Sequence, residues 1–178
     1  MKMGKGCSSP YSGAMEIKEC RDGDVELLEQ WSPSGRLCIH AIRFARQQEG
    51  LSTFLIAWSQ SSPVGSGELK WRGCDAPEVR AALPNCPELN GLQVSPPRLR
   101  SRGIGRAIIA HAEDLARQRG LTQLGLGVNY TNERAAALYQ RLGFAETGCH
   151  YLDRYYYITD DGVRHDVADP AQFLVKEL

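Results

Sequence analysis

Apolar and polar residues in the second half of the chain follow two different periods. Ile104, Ile108, Ala112, Leu115 and Ala116 recur at helical spacing, which predicts an amphipathic helix over 103–119. Just upstream, residues 89–94 alternate as a half-buried strand does, with Glu88, Asn90, Leu92 and Val94 expected on one face. Leu121 to Val128 predicts another strand. A second helix follows over 132–142, with Ala135, Leu138, Tyr139 and Leu142 as its apolar stripe. Phe144 to Ile158 and Phe173 to Lys176 read as closing strands, joined through the turn Asp160-Asp161-Gly162.

The first half is weaker in period but similar in kind. Glu16 to Cys20 predicts a strand, and Asp22 or Asp24 suits the cap of a short helix through Trp31. Ser32-Pro33-Ser34-Gly35 breaks it. Leu37, His40, Ala41, Phe44 and Ala45 then mark a helix ending near Gly50. Thr53 to Trp58 and Val64 to Trp71 read as strands around the turn Ser61-Ser62-Pro63, and 75–87 as an irregular connection with one helical turn. Residues 1–14, rich in Gly, Ser and Lys, predict a disordered leader before a single αβ domain over 15–178. Met1 and Met15 both stand as candidate starts.

Bulk properties narrow the function classes. A chain of 178 residues suits one domain with a real core. Lys plus Arg and Asp plus Glu are both 21, so no net charge pulls the chain toward nucleic acid or a membrane surface. No apolar run is long enough to span a bilayer, and the N-terminus lacks the apolar core of a signal peptide. Cytoplasmic residence is the default expectation. Cys7, Cys20, Cys38, Cys74, Cys86 and Cys149 form no Cys-x-x-Cys pair. His40, His111, His150 and His165 show no metal spacing either. Free thiols and no metal are expected.

The candidate chemistry lies where strand 89–94 runs into helix 103–119, at Arg100-Ser101-Arg102-Gly103-Ile104-Gly105-Arg106. Glycines at a helix start let backbone N–H groups approach a ligand, and the positive end of the helix dipole lies there. Arg98, Arg100, Arg102 and Arg106 supply charge that suits phosphate. The ligand is neither a dinucleotide nor a P-loop nucleotide. The first needs a third small residue where Ile108 stands, and the second needs a Gly-Lys-Ser/Thr run that the chain lacks.

The segment resembles the acyl-coenzyme A loop of the GNAT N-acetyltransferase superfamily, Gln/Arg-x-x-Gly-x-Gly/Ala, at every fixed position from Arg100 to Gly105. A second stretch, Asn132 to Phe144, is similar to the family's Asn-x-x-Ala-x-x-Leu-Tyr-x-x-x-Gly-Phe. The resemblance implies a twisted mixed sheet of six to seven strands with helices on both faces. It implies acetyl transfer from acetyl-coenzyme A to a primary amine, by direct attack in a ternary complex. The pantetheine arm would pair with the backbone of Leu92 to Val94, beside a bulge. The pyrophosphate would rest on the N–H groups of Arg102, Gly103, Ile104, Gly105 and Arg106. Arg100 and Ser101 belong to the same cofactor-binding loop, which the Arg100 side chain would shape, and Asn132 would cap its helix and meet the arm. Tyr139 would protonate the departing thiolate. Dimers are common in the family.

The general base is less plain. Some family members carry a Glu at the position held here by Gly127, so the expectation moves to Glu88, with Glu68 or a water chain as alternatives. From Tyr151 to Leu178 six acidic residues face three basic ones, which suits a cationic acceptor near the last hairpin. Two other readings stay open: a coenzyme A-binding regulatory module without catalysis, and an unrelated phosphate-binding domain.

Overall fold

The computed structural model describes residues 15–178; the expected disordered leader lies outside them. Seven strands form one sheet in the order β1-β2-β3-β4-β5-β7-β6. They are β1 (Met15–Glu19), β2 (Ser52–Ser59), β3 (Ser62–Lys70), β4 (Glu88–Val94), β5 (Gln123–Asn129), β6 (Ala145–Ile158) and β7 (Arg164–Glu177). Only β4 and β5 pair in parallel, and all other neighbours are antiparallel. The helices are α1 (Asp24–Trp31), α2 (Ile39–Gln48), α3 (Pro77–Ala82), α4 (Ile104–Gln118) and α5 (Glu133–Arg141). The expected mixed sheet with helices on both faces is therefore present.

The apolar stripes decide which helix covers which face. Ile104, Ile108, Ile109 and Ala112 of α4 pack with Leu55, Leu69, Leu89, Leu124 and Leu126 of the sheet, together with Tyr139 and Phe144. On the other face Leu28 of α1 and Phe44 of α2 cover Phe54 and Ile56. Val79 of α3 packs with Cys86, Phe173 and Val175 on the same side. Gly125 lies between these layers. A Cβ there would sit 3.0 Å from Cys86 Sγ and 2.5 Å from Phe173 Cζ. Gly125→Ala is therefore expected to lower stability by about 1–3 kcal/mol through overpacking, read as a lower denaturant midpoint at unchanged slope.

Several boundaries depart from the sequence pattern for local reasons. Neither Asp22 nor Asp24 caps α1. Gly23 holds the cap position at φ +84, and Asp24 Oδ2 accepts from Arg21 N at 2.8 Å. The β2–β3 turn falls at Gln60-Ser61, with Gln60 at φ +56. Pro63 is thus inside β3, but pairing with β4 starts only at Gly65, so its missing N–H costs no ladder bond there. Helix α2 starts at Ile39, because Gly35–Leu37 forms a separate 3-10 turn. Strand β7 starts at Arg164, well before Phe173. Its first part, through Pro170, pairs only with β6, while β5 pairs from Ala171 onward. Residues 164–166 are exposed in succession, so the start of β7 carries no apolar alternation for a sequence reading to detect.

The largest departure is in β4. Two residues of β3, Ser66 and Glu68, register with Gln93 and Asn90, so β4 carries one extra residue. This is a β-bulge at Gly91, whose φ is +60. The bulge reverses the facing of everything after it. Glu88 and Asn90 face the α1–α3 side, whereas Leu89, Leu92 and Val94 face α4. The expected common face for Glu88, Leu92 and Val94 is therefore incorrect, because strict alternation does not cross a bulge.

Candidate functional site

Beneath α4 and α5 lies a groove of about 540 Å³. Gly103 caps α4 at φ +86, and nothing lies within 4 Å of where its Cβ would be. The N–H groups of Ile104, Gly105 and Arg106 are the first three of that helix and have no acceptor within it. Arg100, Ser101, Gly103, Ile104, Gly105 and Arg106 all line the groove. Arg102 is exposed and does not. Ser101, at φ +63, accepts a hydrogen bond from Arg134 Nη2 at 2.5 Å, which ties the loop to α5. Together these residues offer unfilled N–H donors, an open approach over glycine and guanidinium charge, a combination that fits a pyrophosphate.

The groove's far wall is β4 on one side and α5 on the other. Leu92, Gln93 and Val94 line it from the strand, and Asn132, Leu138 and Tyr139 from the helix. Asn132 caps α5, its Oδ1 accepting from Ala135 N at 3.2 Å. Tyr139 is 9% exposed and packs against Phe144, with ring centroids 6.2 Å apart. Burial raises its phenol above the ordinary range, so the hydroxyl stays protonated at neutral pH.

Strands β4 and β5 pair only at Glu88↔Gly125. Beyond that point the ladder stops, and β4 leaves backbone groups facing a slit. A second cavity, of about 370 Å³, opens on the α1–α3 face. Glu88, Asn90, Lys70, Asp75, Tyr151 and Asp153 are among its lining residues. Glu88 is 2% exposed. Its Oε2 accepts from Lys70 Nζ at 3.2 Å, and its Oε1 from Asn90 Nδ2 at 3.2 Å. Burial nevertheless holds its carboxyl above the usual carboxylate range, with Lys70 pulling the other way. Lys70 also donates to Asp75 at 2.6 Å. Its ammonium is raised, because Glu88 and Asp75 outweigh its own burial.

Gly127 lies on β5 two residues beyond Gly125, the partner of Glu88, and faces the Glu88 side chain. A Cβ there would lie 3.8 Å from Glu88 Oε1 and would overlap the Tyr151 hydroxyl. The Glu88 carboxylate therefore approaches from β4 the region that a side chain on β5 at 127 would enter. Glu68, the other carboxylate considered, is fully buried and clamped by Arg46 at 2.7 and 2.5 Å, and it does not line this cavity.

A family model described as "Acetyltransferase (GNAT) family" matches residues 17–144. The chain belongs to this family. It is 41% identical over 66 residues to the [Ribosomal protein bS18]-alanine N-acetyltransferase of Escherichia coli K12, which covers 37% of this chain and 43% of that protein. It is 41% identical over 145 residues to the mycothiol acetyltransferase of Beutenbergia cavernae, covering 80% of this chain and 38% of that one. The matched stretches thus span less than half the length of these relatives. The solved structure of PaiA N-acetyltransferase from Thermoplasma acidophilum, in complex with coenzyme A, superposes with TM-score 0.62 at 19% identity, covering 93% of this chain and 99% of that one.

The GNAT loop and the Asn132–Phe144 stretch, read separately from the sequence, thus border one groove. Glu88 lies outside it, on the other face of the sheet. Lys70, Cys74 and Asp75 went unnoticed in the sequence, since they join Glu88 only through the β3–β4 register. Burial pushes the Cys74 thiol up to about 11, with Glu88 adding to the effect, so it is no thiolate at neutral pH. Among the described residues no group of three or more His, Cys, Asp or Glu is placed to hold a metal ion. No described helix is long and apolar enough to cross a membrane.

Proposed function

We propose that this GNAT chain transfers an acetyl group from acetyl-coenzyme A to the primary amine of a small cationic acceptor or a protein. The observation that carries this reading is the pair of cavities on opposite faces of the sheet, beside the unpaired stretch of β4 and β5. The α4–α5 groove takes the donor, and the acidic cavity around Glu88 takes the amine. Asp75, Glu78, Glu88 and Asp153 outnumber Lys70 and Arg154 there, which favours a cation.

The residues then have distinct tasks. The N–H groups at the start of α4 and the nearby arginines bind pyrophosphate. Leu92 to Val94 offer backbone groups to the pantetheine arm, and Asn132 orients the start of α5. Glu88 accepts the proton that an ammonium must lose before its nitrogen has a lone pair. The nitrogen then bonds the thioester carbonyl carbon and the C–S bond breaks; Tyr139 gives its proton to the departing sulfur and takes in its place the second N–H proton, which the nitrogen sheds on becoming an amide. A free thiol has a pKa of about 8.5 and a phenol about 10. Tyr139 therefore acts on the leaving sulfur as a hydrogen-bond donor and proton relay that ends each turnover as a neutral phenol.

The reading is tested by free-thiol release across a panel of amines, including polyamines, aminoglycosides and lysine-containing peptides. Tyr139→Phe is expected to lower kcat about tenfold or more while leaving acetyl-coenzyme A affinity within twofold. An unaltered rate removes Tyr139 from the chemistry. Acetyl-coenzyme A binding without thiol release for any amine would instead favour a non-catalytic binding module.

A further inference from the structure

Beside the β4 bulge lies an ion cluster that takes no part in the chemistry above. Its centre is Glu68 on β3, which is fully buried. Arg46 of α2 holds it in a two-pronged bond, and one such fork satisfies a carboxylate. Arg43, nearly one turn earlier on α2, brings a second positive charge to the same site. Its Nε lies 3.6 Å from Glu68 Oε2, too far for a hydrogen bond, and is buried without a partner. The residue is 8% exposed, and its guanidinium stands 5.8 Å from the Phe54 ring centroid. Burial lowers its pKa, although Glu68 opposes the change. A second arginine on an already satisfied carboxylate is an expensive arrangement. Glu68 alone does not account for it.

What the Arg43 guanidinium does touch is the bulge. A Cβ on Gly91 would lie 2.8 Å from Arg43 Cζ and 3.3 Å from Nη1, and closer still to Nη2. The planar group therefore occupies the side of Gly91 where any other residue would project. Gly91 at φ +60 is the extra residue of β4. Without that bulge β4 would slip by one position, and Leu92 and Val94 would turn to the opposite face.

We propose that Arg43 is a positioning residue for the acyl-donor groove: its guanidinium, seated against Gly91, fixes the β4 bulge and so keeps the backbone of Leu92 to Val94 facing the slit. This rests on the reading of the α4–α5 groove as the acetyl-coenzyme A site. Arg43 lines neither the α4–α5 groove nor the cavity around Glu88. Its loss is felt where the strand meets the pantetheine arm and not where the loop meets phosphate.

The test is calorimetric titration of Arg43→Met with acetyl-coenzyme A and with 3′-phosphoadenosine 5′-diphosphate, the half of the donor that lacks the arm. Acetyl-coenzyme A affinity is expected to fall tenfold or more, about 1.4 kcal/mol, while the nucleotide stays within twofold. Arg43→Lys keeps the charge but not the planar group, and it carries the same expectation if the Met variant fails to fold. A double-mutant cycle adds a second readout. Gly91→Ala should weaken acetyl-coenzyme A binding tenfold or more in the wild-type background. In an Arg43→Ala background it should add less than twofold, because the overlapping group is gone. Unchanged acetyl-coenzyme A affinity in the position 43 variants, equal loss for both ligands, or additive effects in the cycle each overturn the proposal. Wild-type protein that binds neither ligand overturns the donor-site reading instead.

Discussion

Gly103→Asp is expected to reduce acetyl-coenzyme A affinity about a hundredfold or more, equivalent to about 2.7 kcal/mol, in a protein that stays folded. The position is chosen for its geometry. Gly103 caps α4 at φ +86 with open space on its Cβ side, so a carboxylate fits without collision. Aspartate tolerates the left-handed region better than most residues and serves well before a helix, which keeps the cost in stability near 1 kcal/mol. The carboxylate would stand where a pyrophosphate needs N–H donors, and like charges at contact distance repel strongly. Gly103→Ala separates the two effects. It carries the same backbone strain without the charge and should lose far less affinity. Calorimetry of both variants reads the difference. Equal affinities for wild type and Gly103→Asp would remove the loop from donor binding.

The second large effect is expected at Glu88. Glu88→Gln should lower kcat about a hundredfold with acetyl-coenzyme A affinity unchanged, since the side chain faces away from the donor groove. The pH dependence has a definite sign. Burial raises the Glu88 pKa, so at low pH the carboxyl is protonated and accepts nothing. Activity should rise with pH through a value above the ordinary carboxylate range of about 4.3, and the variant should lose that limb. Stability moves the other way. A carboxyl whose folded pKa is raised contributes stability that is present below its unfolded pKa and lost as pH rises through the folded one. Wild-type Tm should therefore decline across that window more than the variant's. An unchanged kcat in Glu88→Gln would assign proton removal to a water chain.

The local motifs were legible because their chemistry sits within a few residues of one chain segment. Arg100 to Arg106 and Asn132 to Phe144 each carry their own spacing, and both border the α4–α5 groove. What escaped the sequence depends on register and distance. The facing of Glu88 turns on the bulge at Gly91, and that bulge exists only relative to β3. A lone glycine inside a strand pattern was the available signal. Arg43 and Arg46 lie outside the apolar stripe that marks their helix, and nothing local ties them to Glu68, which is more than twenty residues away on β3. The extent of β6 was legible, but the exposed start of β7 carries no apolar alternation, so that strand was placed only from Phe173 onward.

The gap between β4 and β5 also bears on how the molecule avoids sticking to itself. An unpaired strand edge invites other chains to add a strand and aggregate, and proteins usually blunt such edges at the sheet's rim. Here the free edge lies in the middle of the sheet, flanked by β5 and roofed by α4 and α5. On the proposed reading a pantetheine arm pairs with those backbone groups, inside the sheet and away from its rim. An edge placed there can serve recognition without lying at the rim, where strand addition begins.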